Sequence, residues 1–194
     1  MNFQAMNKGN NMAKCLKALA VLGAMIVATP AMAQSYPEGF TYGPVFEDFG
    51  PVADVELDVE LPADAAFRHV FDVSAAAEPG TVSRHLESAA RFINMHARAG
   101  VPVDRIQVAI VVHGGAGADL LQAEAYAARK DGAENANLPL IAALLEHGVQ
   151  IYLCSQSAAG MGLAKEDLIP GVQMALSAMT MNALLQQQGY TLNP

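Results

Sequence analysis

The chain has 194 residues, 53% hydrophobic and 15% charged, with 11 Lys and Arg against 19 Asp and Glu for a formal charge of −8. That balance excludes nucleic acid and anionic membrane surfaces as partners, since both would repel the chain. The length suits one domain with a sizeable core, and the absence of Trp with few other aromatics points to a helix-rich α/β protein and away from a β-sandwich.

Lys8, Lys14 and Lys17 are followed by an uncharged run from Ala18 to Ala28, then Pro30 and the triplet Ala31-Met32-Ala33. Basic, apolar and small-residue regions in that order predict a secretory signal peptide over residues 1–33, cut before Gln34. The run is well short of the roughly 20 residues that span a bilayer, so the expected mature protein is periplasmic and keeps no membrane anchor. Cleavage removes three lysines, leaving a still more acidic chain. It also removes Cys15 and leaves Cys154 as the single cysteine.

Residues 34–65 carry Pro37, Gly39, Gly43, Pro44, Gly50, Pro51 and Pro62, which interrupt any long element and mark an N-terminal arm. Inside it, Asp54, Glu56, Asp58 and Glu60 alternate with Val55, Leu57, Val59 and Leu61, which predicts one edge strand with an acidic face. A calcium ion is a weak reading of those carboxylates, because a single strand offers no cage of loop oxygens. A solvated face that discourages edge pairing explains them more simply.

Residues 66–194 alternate apolar runs with amphipathic stretches, the order of strand-helix-strand units that build a parallel sheet. A first strand is expected over Arg68 to Val73. After Pro79-Gly80 comes a helix from Val82 to Ala99, with Leu86, Ala89, Ala90, Ile93 and Ala97 on one face and Gly100 ending it. Ile106 to Val112 reads as a central strand covered on both faces. A glycine turn, Gly114 to Gly117, leads to a helical stretch from Leu120 to Arg129. A second clear helix is capped by Asn137, turns Leu138, Ile141, Leu144 and Leu145 inward, and stops at Gly148. The strand Val149 to Leu153 then runs into Cys154, the polar turn Ser155-Gln156-Ser157 and a glycine-bearing loop. A short turn from Leu163 to Leu168, a strand from Val172 to Leu176, a helix from Ala178 to Gln188 and an edge strand from Tyr190 to Leu192 complete the pattern.

In an open parallel sheet, ligands collect beyond the carboxyl ends of the strands. His113 with Gly114 and Gly115, Cys154 with Ser155 and Gln156, and Ser177 all fall on that edge. An exported protein ordinarily pairs its cysteines, so an unpaired thiol invites a chemical role. A nearby helix start or histidine would stabilise its thiolate, provided the sulfur is open to solvent. Packing is the competing reading for Cys154, a backbone-bonded turn residue for His113, and a helix cap for Ser177. Gly114-Gly115-Ala116-Gly117 lacks both the dinucleotide fingerprint and the Gly-Lys-Ser ending of a phosphate loop. Cys154 and His113 alone do not complete a zinc site, so no metal is assigned. His69, His85, His96 and His147 are scattered and are given no role. Met161, Met174, Met179 and Met181 read as filler in the core or between subunits.

Phe71-Asp72-Val73, Ala90 to Asn94, Val111 to Gly114, Asn137 to Ile141, Gly148 to Gln156, Gly171 to Met179 and Gln188 to Tyr190 together make the chain resemble the DsrE/DsrF-like family over Phe67 to Leu192. The resemblance implies a flavodoxin-like three-layer α/β fold with a mostly parallel sheet of about five strands. It further implies assembly into homotrimers or homohexamers, and a cysteine at the Cys154 position that carries sulfur as a persulfide. Relatives often place glycine after that cysteine, where this chain has Ser155, and the characterised relay members work in the cytoplasm. The expectation that follows is a periplasmic sulfane-sulfur carrier, using Cys154 with His113 beside it and requiring no cofactor. Its partner is a sulfur donor or acceptor protein or a small polysulfide. Two alternatives stand beside it: an oligomeric small-ligand-binding module whose cysteine is structural, and a redox partner that forms mixed disulfides.

Overall fold

A strand as β-branched as Ile106–Val112 is stable only when covered on both faces, and that requirement organises the molecule. The computed structural model describes residues 36–193; the expected signal peptide and Cys15 lie outside them. In chain order the elements are β1 (Phe40–Thr41), β2 (Val52–Ala53), β3 (Phe67–Val73), α1 (Arg84–Arg98), β4 (Ile106–Val112), α2 (Ala123–Arg129), α3 (Leu138–Glu146), β5 (Gln150–Cys154), α4 (Ser155–Met161), β6 (Gln173–Ala175), α5 (Ala178–Gln187) and β7 (Thr191–Asn193). Five of the strands form one sheet in the order β6-β5-β4-β3-β7, every neighbouring pair parallel. β4 is its centre.

The pleat sorts side chains between two cores. Val108, Ile110 and Val112 of β4 enter the larger one, shared with Leu86 and Ile93 of α1 and with Ile141 and Leu144 of α3. Ala109 and Val111 enter a smaller one with Val70, Cys154, Ala178, Leu185 and Tyr190, beneath α5. The result is the expected three-layer α/β fold. Tyr190 ends up as a buried side chain just before β7, which starts one residue later than its sequence suggested.

The arm is bound to α1 by polar side chains where the helix face would otherwise be apolar. Asn94, fully buried, accepts from the N–H groups of Val45 and Phe46 at 3.0 and 2.9 Å and donates to the carbonyls of Phe46, Phe49 and Gly50, each at 3.0 Å. Glu87 accepts from Gly50 N–H at 3.0 Å and from the Tyr36 hydroxyl. Gly50 has φ +62, and a Cβ there would lie 2.2 Å from the Arg91 nitrogen, so only glycine fits this approach of arm to helix.

Three local expectations are corrected. Residues 54–61 form no strand; the arm's short antiparallel ribbon is β1 with β2, ending at Ala53. Alternation needs a neighbouring strand to become a ladder, and among the described residues none lies beside this segment. The helix expected from Leu120 to Arg129 is split into a 3-10 turn, Gly114–Leu120, and α2, because Leu121 bridges to Leu168 instead of coiling. Finally, Cys154 is followed by the helix α4 where a loop was expected, and Gly162 at φ +64 ends it.

Asp119, at the end of the 3-10 turn, is wholly buried, with Oδ2 accepting from Ala77 N–H at 2.9 Å and Oδ1 unpartnered. Burial raises its pKa to about 6, against the pull of the Ala77 N–H and Lys130. A folded-state pKa above the unfolded 3.8 means that the folded protein holds this proton more tightly. The contribution is therefore fully present below the unfolded pKa and is lost as pH rises through about 6. Asp119→Asn is expected to remove that loss, stabilising the protein at neutral pH by about 2–3 kcal/mol relative to wild type. Denaturant unfolding at about pH 4 and about pH 7 checks it: equal pH dependence in wild type and variant would refute the assignment.

Candidate functional site

Because β3, β4 and β5 are parallel and in register, their carboxyl ends fall at one level: Val73 pairs with Val112, and Val112 with Leu153. His113 continues β4 by one residue, with extended backbone at φ −149 and its N–H donating to Val73 O at 2.9 Å. Alternation then sets His113 on the same face as Ala109 and Val111, and it sets Cys154 there with Tyr152. Asp72 joins them there in line with Val70. Cys154 is the position beside His113 on the next strand, at the usual separation of roughly 4.8 Å between neighbouring strands. Three strand ends thus deliver a carboxylate, an imidazole and a thiol beneath α5.

His113 Nε2 lies 2.8 Å from Asp72 Oδ2, and Asp72 Oδ1 accepts from Asn182 Nδ2 of α5 at 2.6 Å. Both His113 and Asp72 are partly open, at 32% and 23% side-chain exposure. Among the described residues the imidazole is thus bonded to Asp72 and not to the thiol, so direct pairing of His113 with Cys154 is not how the sulfur is stabilised. The donors come instead from helix starts.

Cys154 is the N-cap of α4, its Sγ accepting from Ser157 N–H at 3.5 Å. Burial raises the thiol's pKa. The Ser157 side chain and the N–H groups of Ser157, Ala178 and Gln156 lower it, and the balance leaves it below its ordinary value. Ala178 is the first residue of α5, so the start of a second helix adds to this lowering. Ser157→Ala removes the first of the lowering contributions and leaves Gly114 N–H, which donates to Ser157 Oγ at 3.0 Å, without a partner. The pH at which Cys154 reacts half-maximally with iodoacetamide is expected to move upward, and the reaction at neutral pH to slow. An unmoved profile would dismiss Ser157 as a thiolate donor.

The expected open thiol is not found: Cys154 is only 5% exposed. It is nonetheless set among polar groups, with Ser177 buried beside α5 and exposed Gln156 donating through Nε2 to Leu176 O at 3.4 Å. That bond joins the two turns on either side of the sulfur. Ser177 is a helix cap, its hydroxyl accepting from Thr180 N–H at 3.0 Å. Ser155 begins α4 and is half-buried. Gly114, at φ +53 with Ser74 O only 3.1 Å from where its Cβ would be, is held as glycine, and Gly115 follows it into the 3-10 turn. The thiol side of the edge therefore gathers Cys154, Ser155, Gln156 and Ser177, and Ser157 ties it to the His113-Gly114 side. Sequence reasoning missed Asp72 and Asn182 as site residues. Asn182 is 110 positions from Asp72 and meets it only through the docking of α5.

A model of the DsrE/DsrF-like family matches residues 67–194. Among solved structures, the chain is similar to the protein of unknown function MTH1491 from Methanobacterium thermoautotrophicum, at 20% identity, TM-score 0.49, and coverage of 66% of this chain and 97% of that one. It is also similar to the ychN protein from E. coli, at 17% identity, TM-score 0.46, and coverage of 66% of this chain and 100% of the other. No curated protein matches the chain.

Proposed function

Because this chain belongs to the DsrE/DsrF-like family, which is associated with sulfur relay in general, we propose that it carries sulfane sulfur on Cys154 as a persulfide. The observation that supports this most is the thiol held at the junction of two helix starts, where N–H donors offset the cost of burying a thiolate. The thiolate attacks the outer sulfur of a persulfide or polysulfide donor. The donor's S–S bond breaks as the new one to Cys154 Sγ forms, and the donor leaves as a thiolate with the electron pair. One S–S bond replaces another, so no external oxidant or cofactor is required. His113, oriented by Asp72, supplies the proton that the departing thiolate takes up. The basic, apolar and small-residue order of the first 33 residues supports action in the periplasm, and the family relationship supports a homotrimer or homohexamer as the working unit.

Incubation with inorganic polysulfide followed by intact-mass measurement tests the proposal. Wild-type protein should gain sulfur that a thiol reductant removes again. No gain, under conditions that load a control persulfide carrier, would overturn it. The low exposure of Cys154 favours one other reading, a small-ligand-binding module with a structural cysteine. That reading requires a folded thiol inert to polysulfide and to bulky labelling reagents alike.

A further inference from the structure

Residues 54–61 carry a strictly amphipathic pattern with no ladder to use it, and every one of them is exposed, Val55 at 70% and Val59 at 81%. Among the described residues no hydrogen bond involves the backbone of residues 55–61. Val55, Leu57, Val59 and Leu61 line one wall of a half-open groove of about 300 Å³, and Met95 and Ala99 at the end of α1 line the other. The groove is mostly apolar, with Asp54, His96 and Arg98 completing its lining.

Its base is fixed. Arg98 donates to the carbonyls of Thr41, Tyr42, Gly43 and Val52 and pairs with Asp54 at 3.4 Å. Arg98 is thus committed to the base, and Glu56, Asp58 and Glu60 have no ion pair among the described residues. A second copy adding through the same segment would have to match apolar face to apolar face. Acidic side chains would then stand directly opposite acidic ones, a destabilising register. The complementary occupant has the opposite alternation.

We infer that residues 54–61 are a docking edge for an extended partner segment in which Val, Ile or Leu alternates with Lys or Arg. Such a strand pairs with the free backbone, drops its apolar side chains between Leu57, Val59 and Met95, and sets its cations against Glu56, Asp58 and Glu60. The site is remote in sequence from Cys154, and its occupancy does not depend on sulfur chemistry.

The test is fluorescence anisotropy of the full chain with labelled peptides matching the segment in length. A Lys-Val alternating peptide should bind, and Glu-Val and Lys-Ser peptides should bind at least about tenfold more weakly, with the Lys-Val affinity falling as salt is raised. Combined Glu56→Lys, Asp58→Lys and Glu60→Lys should reverse the preference in favour of Glu-Val, and these exposed positions place no demand on the fold. The inference is overturned if Lys-Val fails to bind, if charge reversal leaves its binding unchanged, or if Lys-Ser binds equally well through charge alone. Self-association that Leu57→Ser with Val59→Ser abolishes would also overturn it, assigning the groove to a second copy.

Discussion

Cys154→Ser is expected to take up no sulfur from polysulfide while folding as well as wild type. The two halves of that outcome have separate causes. Serine is among the best N-cap residues, and its hydroxyl accepts the Ser157 N–H that Sγ now holds, so α4 keeps its start. An alcohol, however, does not ionise near neutral pH under the same donors and forms no persulfide. Intact mass after polysulfide treatment, with thermal unfolding alongside, reads both effects. Sulfur uptake by the variant equal to that of wild type would place the chemistry elsewhere, and loss of uptake together with a collapsed melting temperature would return Cys154 to a packing role.

The largest effect on stability is expected from Asn94→Ala. The substitution strands two N–H groups and three carbonyls of the arm at once. Each buried polar group left without a partner costs about 1–3 kcal/mol, and the loss does not simply add, because the arm can peel into water and satisfy its own backbone there. Peeling has its own penalty: Phe46 is 3% exposed, belongs to the larger core and packs its ring against His147 at 4.7 Å. A net loss of about 3–5 kcal/mol follows, with residues 36–53 turned into a protease-sensitive tail. Urea unfolding and limited proteolysis measure it. A loss below about 1 kcal/mol with the arm still protected would show that Asn94 is not what fastens it.

Residues whose position is decided by burial were the ones legible in the sequence. Ile106–Val112 was delimited to the residue, because a strand covered on both faces leaves no choice of register. The helix around Leu86, Ala89, Ala90 and Ile93 was likewise found from its apolar face, with those four side chains buried and Ala97 only partly so. Residues 54–61 misled for the converse reason: their alternation is real, and the strand that would answer it is absent from the described part of the chain. Helix α4 was invisible because Ser-Gln-Ser-Ala-Ala-Gly has no apolar stripe and a cysteine is an unusual cap. At the site, the strand-end address of His113, Cys154 and Ser177 was correct, and Ser177 caps a helix as expected. The Asp72 partnership and the low exposure of the thiol arise from how α5 lies on the sheet, which local pattern does not encode.

Helix α5 also ties the two halves of the site to one element. Through Ala178 it polarises the sulfur, and one turn later, through Asn182, it steadies the carboxylate that aims the imidazole. A slide or tilt of this single rod would therefore disturb the surroundings of Cys154 and the His113–Asp72 pair in the same stroke.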